Sequence, residues 1–374
     1  MSLLTLFRNL HHLPRRARSP PGPLSALKFF ATKMSVPATK QAIAFNQPGD
    51  FDVLEKLTIP LKVSPGEIVV KNEYLGINFI DTYLRKGLYP SKEFPAVIGT
   101  EAAGVVVQLP TDPAVLEDPD FKKRGFTVGS KVAVGCGTFG MHADYVSLPW
   151  KYASVLPEGV STSMGAAALL QGLTALTFVT ESHNVQKGET IFVHTVAGGL
   201  GLIFAQLAKA RGATVIGTTS TPEKAALAKA HGADHVILYK TEDTVARVME
   251  LTNGVGVDAV FDGVGKDTFD NNFKLLKRKG TMVCVGNASG PVAPFAPLRL
   301  VEKNLKILRP TVANYCFTPE EIYKYRTELF SLVASGALKI NIHKEYAFTR
   351  DAAIEAQQDL TSGKTTGKLL IKVE

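Results

Sequence analysis

Residues 188–233, GETIFVHTVAGGLGLIFAQLAKARGATVIGTTSTPEKAALAKAHGA, contain the pattern from which the fold is predicted. Its first apolar run, residues 190–194, predicts a β-strand, and a turn rich in glycine follows directly. Apolar residues at helical spacing come next, and a second apolar run at residues 213–217 predicts another strand. The stretch therefore predicts a strand, a glycine turn, a helix and a second strand in succession.

The glycines of this turn are Gly198, Gly199 and Gly201. Glycine lets the backbone approach a pyrophosphate closely, and the N-terminus of the following helix complements the negative charge. The pattern G-x-G-x-x-G is incomplete, because Val196 stands where its first glycine belongs. The turn predicts a dinucleotide site, and a tight strand-to-helix turn without a ligand is the alternative.

The residues after the second strand indicate which dinucleotide is bound. Most NAD sites place a carboxylate there for the ribose 2′-hydroxyl, whereas this chain has Thr218, Thr219 and Ser220, followed by Lys224. Hydroxyls can donate to phosphate oxygens and lysine supplies a positive charge, so the segment favours the 2′-phosphate of NADPH. Thr221 also suits the N-cap of a helix, and the two interpretations are compatible.

Three further apolar runs, at residues 234–240, 257–265 and 280–290, alternate with helical patterns at 242–251 and 266–276. Strands that alternate with helices predict a parallel, doubly wound α/β sheet. Ligands of such sheets bind at the carboxyl ends of the strands. That rule places on the cofactor side Tyr239, residues 263–265 and residues 286–289.

The first residues of the chain differ from the rest. They contain no acid and account for most of the net charge of +8 through Arg8, Arg15, Arg16, Arg18, Lys28 and Lys33. An arginine-rich, acid-free segment with leucines ahead of the arginines resembles a mitochondrial transit peptide. The alternative is a disordered extension upstream of a second start at Met34. The first predicts a mitochondrial protein and the second a cytoplasmic one.

The composition of the chain argues against several classes of protein. No apolar run reaches the roughly 18 residues of a transmembrane helix, so we expect no membrane partner. Cys136, Cys284 and Cys316 occur singly, which argues against a disulfide framework or a structural zinc site. Short β runs between residues 40 and 156 predict a mostly β domain, with a surface insertion at residues 109–126.

Six motifs in order carry a resemblance to a known family. They are GINFIDTYLRKGLYP, VIGTEAAGVV, LLQGLTALTFV, HTVAGGLGLIFAQLAKARGATVIGTTST, GVGVDAVFDGVG and TTGKLL. From Lys40 onward the chain resembles the zeta-crystallin-type NADPH:quinone oxidoreductases, within the zinc-independent medium-chain dehydrogenases/reductases. The N-terminal extension lies outside the resemblance.

The resemblance implies an α/β fold in which a Rossmann sheet is joined to a GroES-like, mostly β catalytic domain, with the site in the cleft between them. We predict an N-terminal extension at residues 1–35 and a catalytic domain at 36–165. A Rossmann domain follows at 166–310, and residues 311–374 return to the catalytic domain. A homodimer formed through the Rossmann domain is also expected.

In zinc-using relatives of this family, the metal ligands would stand near Asn78, at Thr100 and near Gln171. None of these is Cys or His in this chain, so no metal is expected, and Glu101 remains without one. The resemblance implies that the catalytic residues are Asn78, Asp81, Tyr83 and Tyr89. Asp81 is alternatively a turn carboxylate, and the tyrosines are alternatively packing residues between the domains.

The same resemblance implies a set of cofactor contacts. At the nicotinamide end they are Asn78, Thr82, Tyr89, Gln171 and Thr174. Along the rest of NADPH they are Ala197, Gly198, Gly199, Leu200, Gly201, Leu202, Thr218, Thr219, Ser220, Lys224, Tyr239, Gly286, Asn287, Ala288, Ser289, Arg309, Pro310, Thr311 and Lys368.

Three functions follow as hypotheses. The first is reduction of a quinone by NADPH through direct hydride transfer, without zinc or flavin. The second is NADPH-dependent reduction of the double bond of an alkenal or enone, which the same scaffold supports. The third is binding of AU-rich RNA or a structural, crystallin-like role. It is not favoured, because the folded part is nearly neutral and shows no basic stripe interleaved with aromatic residues.

Overall fold

The structure of the protein is a computed structural model that describes residues 36–373. The predicted extension at residues 1–35, and with it the transit-peptide interpretation, lies outside the described residues. The described residues belong to one compact unit.

The strands and helices of the described residues are numbered in chain order. The strands are β1 Thr39–Phe45, β2 Glu55–Pro60, β3 Glu67–Ile77, β4 Ala96–Val97, β5 Glu101–Gln108, β6 Lys131–Gly135, β7 Tyr145–Pro149, β8 Ala153–Val155, β9 Thr190–Val193, β10 Thr214–Thr219, β11 His235–Leu238, β12 Val257–Asp262, β13 Leu276–Cys284, β14 Lys306–Leu308, β15 Ile342–Ala347 and β16 Lys368–Lys372. The helices are α1 Phe79–Arg85, α2 Pro113–Glu117, α3 Pro119–Lys123, α4 Thr162–Thr177, α5 Gly199–Ala210, α6 Pro222–Ala230, α7 Thr244–Leu251, α8 Phe269–Leu275, α9 Val312–Tyr315, α10 Pro319–Ala334 and α11 Arg350–Thr361.

Strands β9 to β14 form the predicted parallel sheet, in the order β11-β10-β9-β12-β13-β14. The order reverses between β9 and β12, and a dinucleotide binds outside the carboxyl ends of the strands at such a point. The predicted doubly wound α/β sheet is therefore confirmed. Strand β13 begins at Leu276 rather than at 280, because Leu276 pairs with Val257 ahead of an irregularity in the ladder.

The catalytic lobe is built on a second sheet, in the order β15-β16-β3-β5-β6-β8, with β7 paired to β3. The last strand of the chain pairs antiparallel with β3, Leu369 lying opposite Ile77. The chain thus returns to its first domain, as the sequence predicts. The two lobes share a core in which Ala103 and Ala133 pack with Leu173 and Phe204. The exact domain boundaries stay a prediction.

Helix α4 lies between the lobes. With the turn that follows it, it forms the span Thr162–Ser182, which is apolar and long enough to cross a membrane by length and composition alone. The expectation that no apolar run reaches this length is therefore wrong. Some 72% of the span's most apolar window is buried inside the protein. Packing against β5 and β6 of the catalytic lobe and against α5 and α10 thus accounts for its composition.

The insertion at residues 109–126 is more ordered than the sequence suggests. It forms the short helices α2 and α3, and Phe121 and Phe126 are buried. The Phe121 ring lies 5.6 Å from those of Phe126 and Trp150. The predicted surface insertion is therefore anchored to the catalytic lobe by these aromatic residues.

Candidate functional site

The turn between β9 and α5 has the geometry of an anion site. Helix α5 begins at Gly199, and its N-cap, Gly198, has no side chain to bond the N–H groups of the first turn. The first hydrogen bond of the helix runs from the Leu202 N–H to the Gly198 carbonyl at 2.9 Å. The N–H groups before Leu202 have no carbonyl of the helix to bond, and they carry its positive end.

Gly201 is required by a close approach to the backbone, whereas Gly199 lies against the end of a side chain. A Cβ on Gly201 would lie 2.4 Å from the Thr195 carbonyl oxygen and 2.7 Å from the Val196 Cα. A Cβ on Gly199 would lie 2.6 Å from Oε1 of Gln171. The turn is therefore packed on the end of β9, and Gln171 of α4 lies against it. These features fit the pyrophosphate of a dinucleotide.

The hydroxyls at the end of β10 are not equally available. Thr218 and Thr219 are buried, and the Thr218 hydroxyl accepts a hydrogen bond from the Thr195 N–H at 3.2 Å. Ser220 is half-buried. Thr218 thus braces the glycine turn, and Ser220 is the more accessible donor for a phosphate.

Lys224 lies in the first turn of α6. Its ammonium donates to the Gly363 carbonyl at 2.7 Å, and its N–H donates to the capping hydroxyl of Thr221 at 3.4 Å. Thr221 therefore caps α6 while Lys224 supplies a basic group in the same turn, as the sequence predicts. Partial burial lowers the pKa of Lys224, and the charge of Lys240 lowers it further. Lys240 was missed by the sequence reasoning, although it directly follows Tyr239.

The loop after β12 is held by Asp262, another residue that the sequence reasoning did not single out. Its carboxylate accepts from the Val264 N–H at 2.8 Å and from the side chains of Thr268 and Asn272, each at 2.7 Å. The Ser289 hydroxyl donates to the Val264 carbonyl at 2.9 Å, which joins the loop after β13 to it. The position of Asp262 at the end of an apolar run was the available signal.

The start of α1 carries three of the predicted site residues. Asn78 is its N-cap, and Asp81 accepts from the Asn78 N–H at 2.8 Å. Asp81 is fully buried, and burial raises the pKa of its carboxyl group to about 7. The Thr82 hydroxyl donates to the Phe79 carbonyl at 2.7 Å. The structure thus gives Asp81 and Thr82 local roles, and their direct roles in the site stay predictions.

Two tyrosines connect α1 with the Rossmann lobe. The Tyr83 hydroxyl accepts from the Asn287 N–H at 3.1 Å. The rings of Tyr83 and Tyr89 pack edge to face with centroids 5.6 Å apart. Burial raises the pKa of Tyr83. The predicted loop at residues 286–289 and the predicted tyrosines are therefore brought together across the cleft.

Behind Asn78 lies a buried polar cluster. The Asn78 amide nitrogen is 2.7 Å from Oε1 of Glu101, and the Lys368 ammonium is 2.7 Å from Oδ1 of Asn78. Lys368 and Glu101 also form an ion pair in which both side chains are inaccessible to solvent. Thr100 lies at the edge of the cluster, its hydroxyl 3.4 Å from the Asn78 nitrogen. The structure thus brings together Asn78, Thr100 and Lys368.

The remaining predicted contacts differ in their exposure to solvent. Ala197 and Leu202 are buried, whereas Leu200, Gly286 and Thr174 are half-buried. Exposed positions are Tyr239, Ala288, Arg309 and Thr311, with Pro310 half-buried between the last two. The Arg309 guanidinium donates to the Val285 carbonyl at 2.8 Å, at the end of β13. Their contacts with a cofactor stay predictions.

Comparison with known families agrees with the two lobes. Residues 64–158 match the family described as alcohol dehydrogenase GroES-like domain, and residues 199–331 match zinc-binding dehydrogenase. The quinone oxidoreductase of Pseudomonas aeruginosa is 37% identical over 331 residues, covering 88% of this chain and 98% of the relative. The chain belongs to the quinone oxidoreductase family.

Solved structures of this family have the same architecture. The Escherichia coli quinone oxidoreductase in complex with NADPH is 36% identical, with a TM-score of 0.83 over 89% of this chain and 99% of that one. The family also has more distant relatives with other names. A 2-haloacrylate reductase from a Burkholderia species is 33% identical, over 82% of this chain and 91% of that protein.

Proposed function

We propose that the protein is an NADPH:quinone oxidoreductase that reduces quinones by direct hydride transfer, without zinc or flavin. The observation that carries the proposal is the cleft itself. The glycine turn at Gly199 and the basic group of Lys224 lie on one lobe, and Tyr83 of the other lobe bonds to Asn287 across the opening. The names of the family members that resemble the chain support the same substrate class.

The donor atoms around Asn78 do not suit zinc. Zinc prefers thiolate, imidazole and carboxylate ligands, whereas this cluster offers a carboxamide, a hydroxyl and an ammonium group. The carboxylate that joins them, Glu101, is already neutralised by Lys368. A metal ion would have to displace that ammonium, so the chain's own residues argue for metal-independent chemistry.

The residues of the site fit NADPH through the glycine turn, Ser220 and Lys224. When bound, NADPH supplies a hydride to an electron-poor carbon or oxygen of the quinone. The chain contributes orientation, since Gln171 and the turn at Gly199 fix one side of the cleft and the paired tyrosines Tyr83 and Tyr89 fix the other. The reduced quinone is a stabilised anion that can take its proton from water.

Reduction of an alkenal or enone is the second candidate, and the 2-haloacrylate reductase among the relatives favours it. The two activities share the scaffold and differ in the acceptor. Steady-state oxidation of NADPH with ortho-quinones, para-quinones and 2-alkenals separates them. We expect the highest kcat/KM with a quinone; a higher value with 2-alkenals would favour the second candidate.

Tyr89 tests whether the site works by orientation alone. We expect Tyr89→Phe to retain most of kcat with a quinone, because the edge-to-face contact with Tyr83 survives. Tyr89→Ala removes that contact and should weaken the affinity for substrate or NADPH several-fold. Steady-state kinetics of both variants with both substrate classes provide the measurement. Loss of quinone turnover in Tyr89→Phe with intact NADPH affinity would make Tyr89 an obligatory acid.

We also propose that the protein forms a homodimer through the Rossmann lobe. Strand β14 is the edge of the parallel sheet, and Leu298 and Val301, which precede it in the chain, are 77% and 65% exposed. An unpaired edge with exposed apolar residues is a surface that a second copy can cover. Sedimentation should give twice the mass of one chain, and a monomer at micromolar concentration would contradict the assignment.

A further inference from the structure

We propose that Lys368 and Glu101 are positioning residues, which fix the orientation of the Asn78 carboxamide at the nicotinamide end of the cleft. The inference rests on the proposed function and on the place of Asn78 at the nicotinamide end of the cleft, which the family resemblance implies. It gives Lys368 an indirect role in place of the direct contact with NADPH that the family resemblance implies.

The sheet of the catalytic lobe brings the three residues together. Leu369 of β16 lies opposite Ile77 of β3, so the positions preceding and following them, Lys368 and Asn78, are neighbours. Glu101 begins β5 and lies over Gly76 of β3, where a Cβ would be 2.4 Å from its carboxylate oxygen. A side chain at position 76 would therefore displace the carboxylate.

Glu101 is required as a group that only accepts hydrogen bonds. Its Oε1 accepts from the Asn78 amide at 2.7 Å and from the Lys368 ammonium. Its Oε2 accepts from the Leu170 N–H at 2.5 Å. Leu170 precedes Gln171, which lies against the glycine turn. A glutamine at position 101 would replace one carboxylate oxygen with an NH₂ group. Whichever way its amide is turned, that NH₂ group would face an N–H donor of Asn78, Lys368 or Leu170.

These partners determine how the Asn78 carboxamide is turned. An ammonium group only donates and a carboxylate only accepts, so the amide oxygen must face Lys368 and the amide nitrogen must face Glu101. The nitrogen also donates to the Gly76 carbonyl at 3.2 Å. Both of its N–H groups are thus used within the protein. What Asn78 can still offer a ligand is the second lone pair of its oxygen, which accepts from a donor such as a carboxamide NH₂.

Lys368 has no direct route to the cleft. Its side chain is inaccessible to solvent, and its ammonium bonds Asn78 and Glu101. Asn78 itself is 5% exposed and lies nearer the opening. The ion pair therefore influences a ligand through the orientation of Asn78.

The test removes the pair as a unit, because truncating one partner of a buried pair leaves an uncompensated charge, whereas replacing both by neutral groups is often tolerated. The variants are Lys368→Met with Glu101→Gln, then Asn78→Ala, then all three substitutions together. In the pair variant the glutamine that replaces Glu101 can donate to the amide oxygen of Asn78, which lets the carboxamide turn over. Lys277→Met with Asp258→Asn is the control, since that pair joins the N-terminal ends of the parallel strands β12 and β13, away from the carboxyl ends where a dinucleotide binds.

We measure the affinity for NADPH by fluorescence titration and the Tm without ligand. The pair variant should bind NADPH about tenfold more weakly, which is about 1.4 kcal/mol. The triple variant should be no weaker than Asn78→Ala, because residues that act through one another are not additive. The control should bind NADPH as the unaltered protein does.

Two results would overturn the proposal: a folded pair variant with unchanged affinity, or losses that multiply in the triple variant, which would mean that Lys368 acts independently of Asn78. If the pair variant does not fold, Glu101→Asp replaces it. That change keeps both charges but withdraws the carboxylate from Asn78, and it should weaken NADPH binding several-fold; unchanged binding contradicts the proposal. Quinone turnover of the unaltered protein tests the proposed function separately from these comparisons of NADPH affinity.

Discussion

Gly201→Ala is expected to weaken NADPH binding at least about tenfold, which is about 1.4 kcal/mol. The added Cβ would lie 2.4 Å from the Thr195 carbonyl oxygen and 2.7 Å from the Val196 Cα, and both atoms belong to the backbone. The clash cannot be relieved by a side-chain rotation, so α5 must move away from the end of β9. The N–H groups that would bind the pyrophosphate move with it.

The same displacement should lower the free energy of unfolding by about 1–3 kcal/mol, the usual cost of overpacking. Titration with NADPH and thermal unfolding measure the two effects. Gly66→Ala is the matched control, because its Cβ would make an ordinary contact of 3.6 Å with Val115. If Gly201→Ala bound NADPH normally, the glycine turn would not be the pyrophosphate site.

NADPH is expected to bind at least about tenfold tighter than NADH, a difference of about 1.4 kcal/mol. Lys224 and Lys240 lie close enough for their charges to interact, and a 2′-phosphate placed near both would relieve that repulsion. Ser220 adds a hydroxyl donor at the end of β10. Lys224→Ala should therefore weaken NADPH binding selectively and leave the affinity for NADH nearly unchanged.

Fluorescence titration of both nucleotides measures this selectivity. Lys229→Ala is the control, because Lys229 is an exposed lysine in the last turn of the same helix. It should alter neither affinity. Equal affinities for NADPH and NADH in the unaltered protein would contradict the assignment of Ser220 and Lys224 to the 2′-phosphate.

The parallel sheet and the glycine turn were predictable because their signals are local. Apolar runs such as residues 257–265 lie in one short segment, and their order along the chain dictates a right-handed series of parallel strands. The cap at Thr221 was predictable for the same reason. The ends of the strands were less predictable. Leu276, for example, belongs to β13 only because it pairs with Val257 of β12.

The cluster behind Asn78 was not predictable, because its members are distant in sequence. Lys368 and Glu101 are 267 positions apart, and neither lies in a pattern that indicates an ion pair. The available signal was Lys368, a basic residue in a terminal apolar strand, and the sequence-based prediction made it a contact of the cofactor. Similarly, the sequence does not reveal that the Thr82 hydroxyl bonds its own helix. Such pairings depend on the register of the sheet and on burial.

Hydride transfer from NADPH to a quinone without zinc or flavin is the activity on which the other predictions rest. Its most direct test is the reaction of the full chain, freed of flavin and of metal by prolonged chelation, with NADPH and a para-quinone. We expect the rate to equal that of the untreated protein, with one NADPH oxidised for each hydroquinone formed. Loss of activity on chelation that zinc restores, or a semiquinone as the released product, would contradict this mechanism.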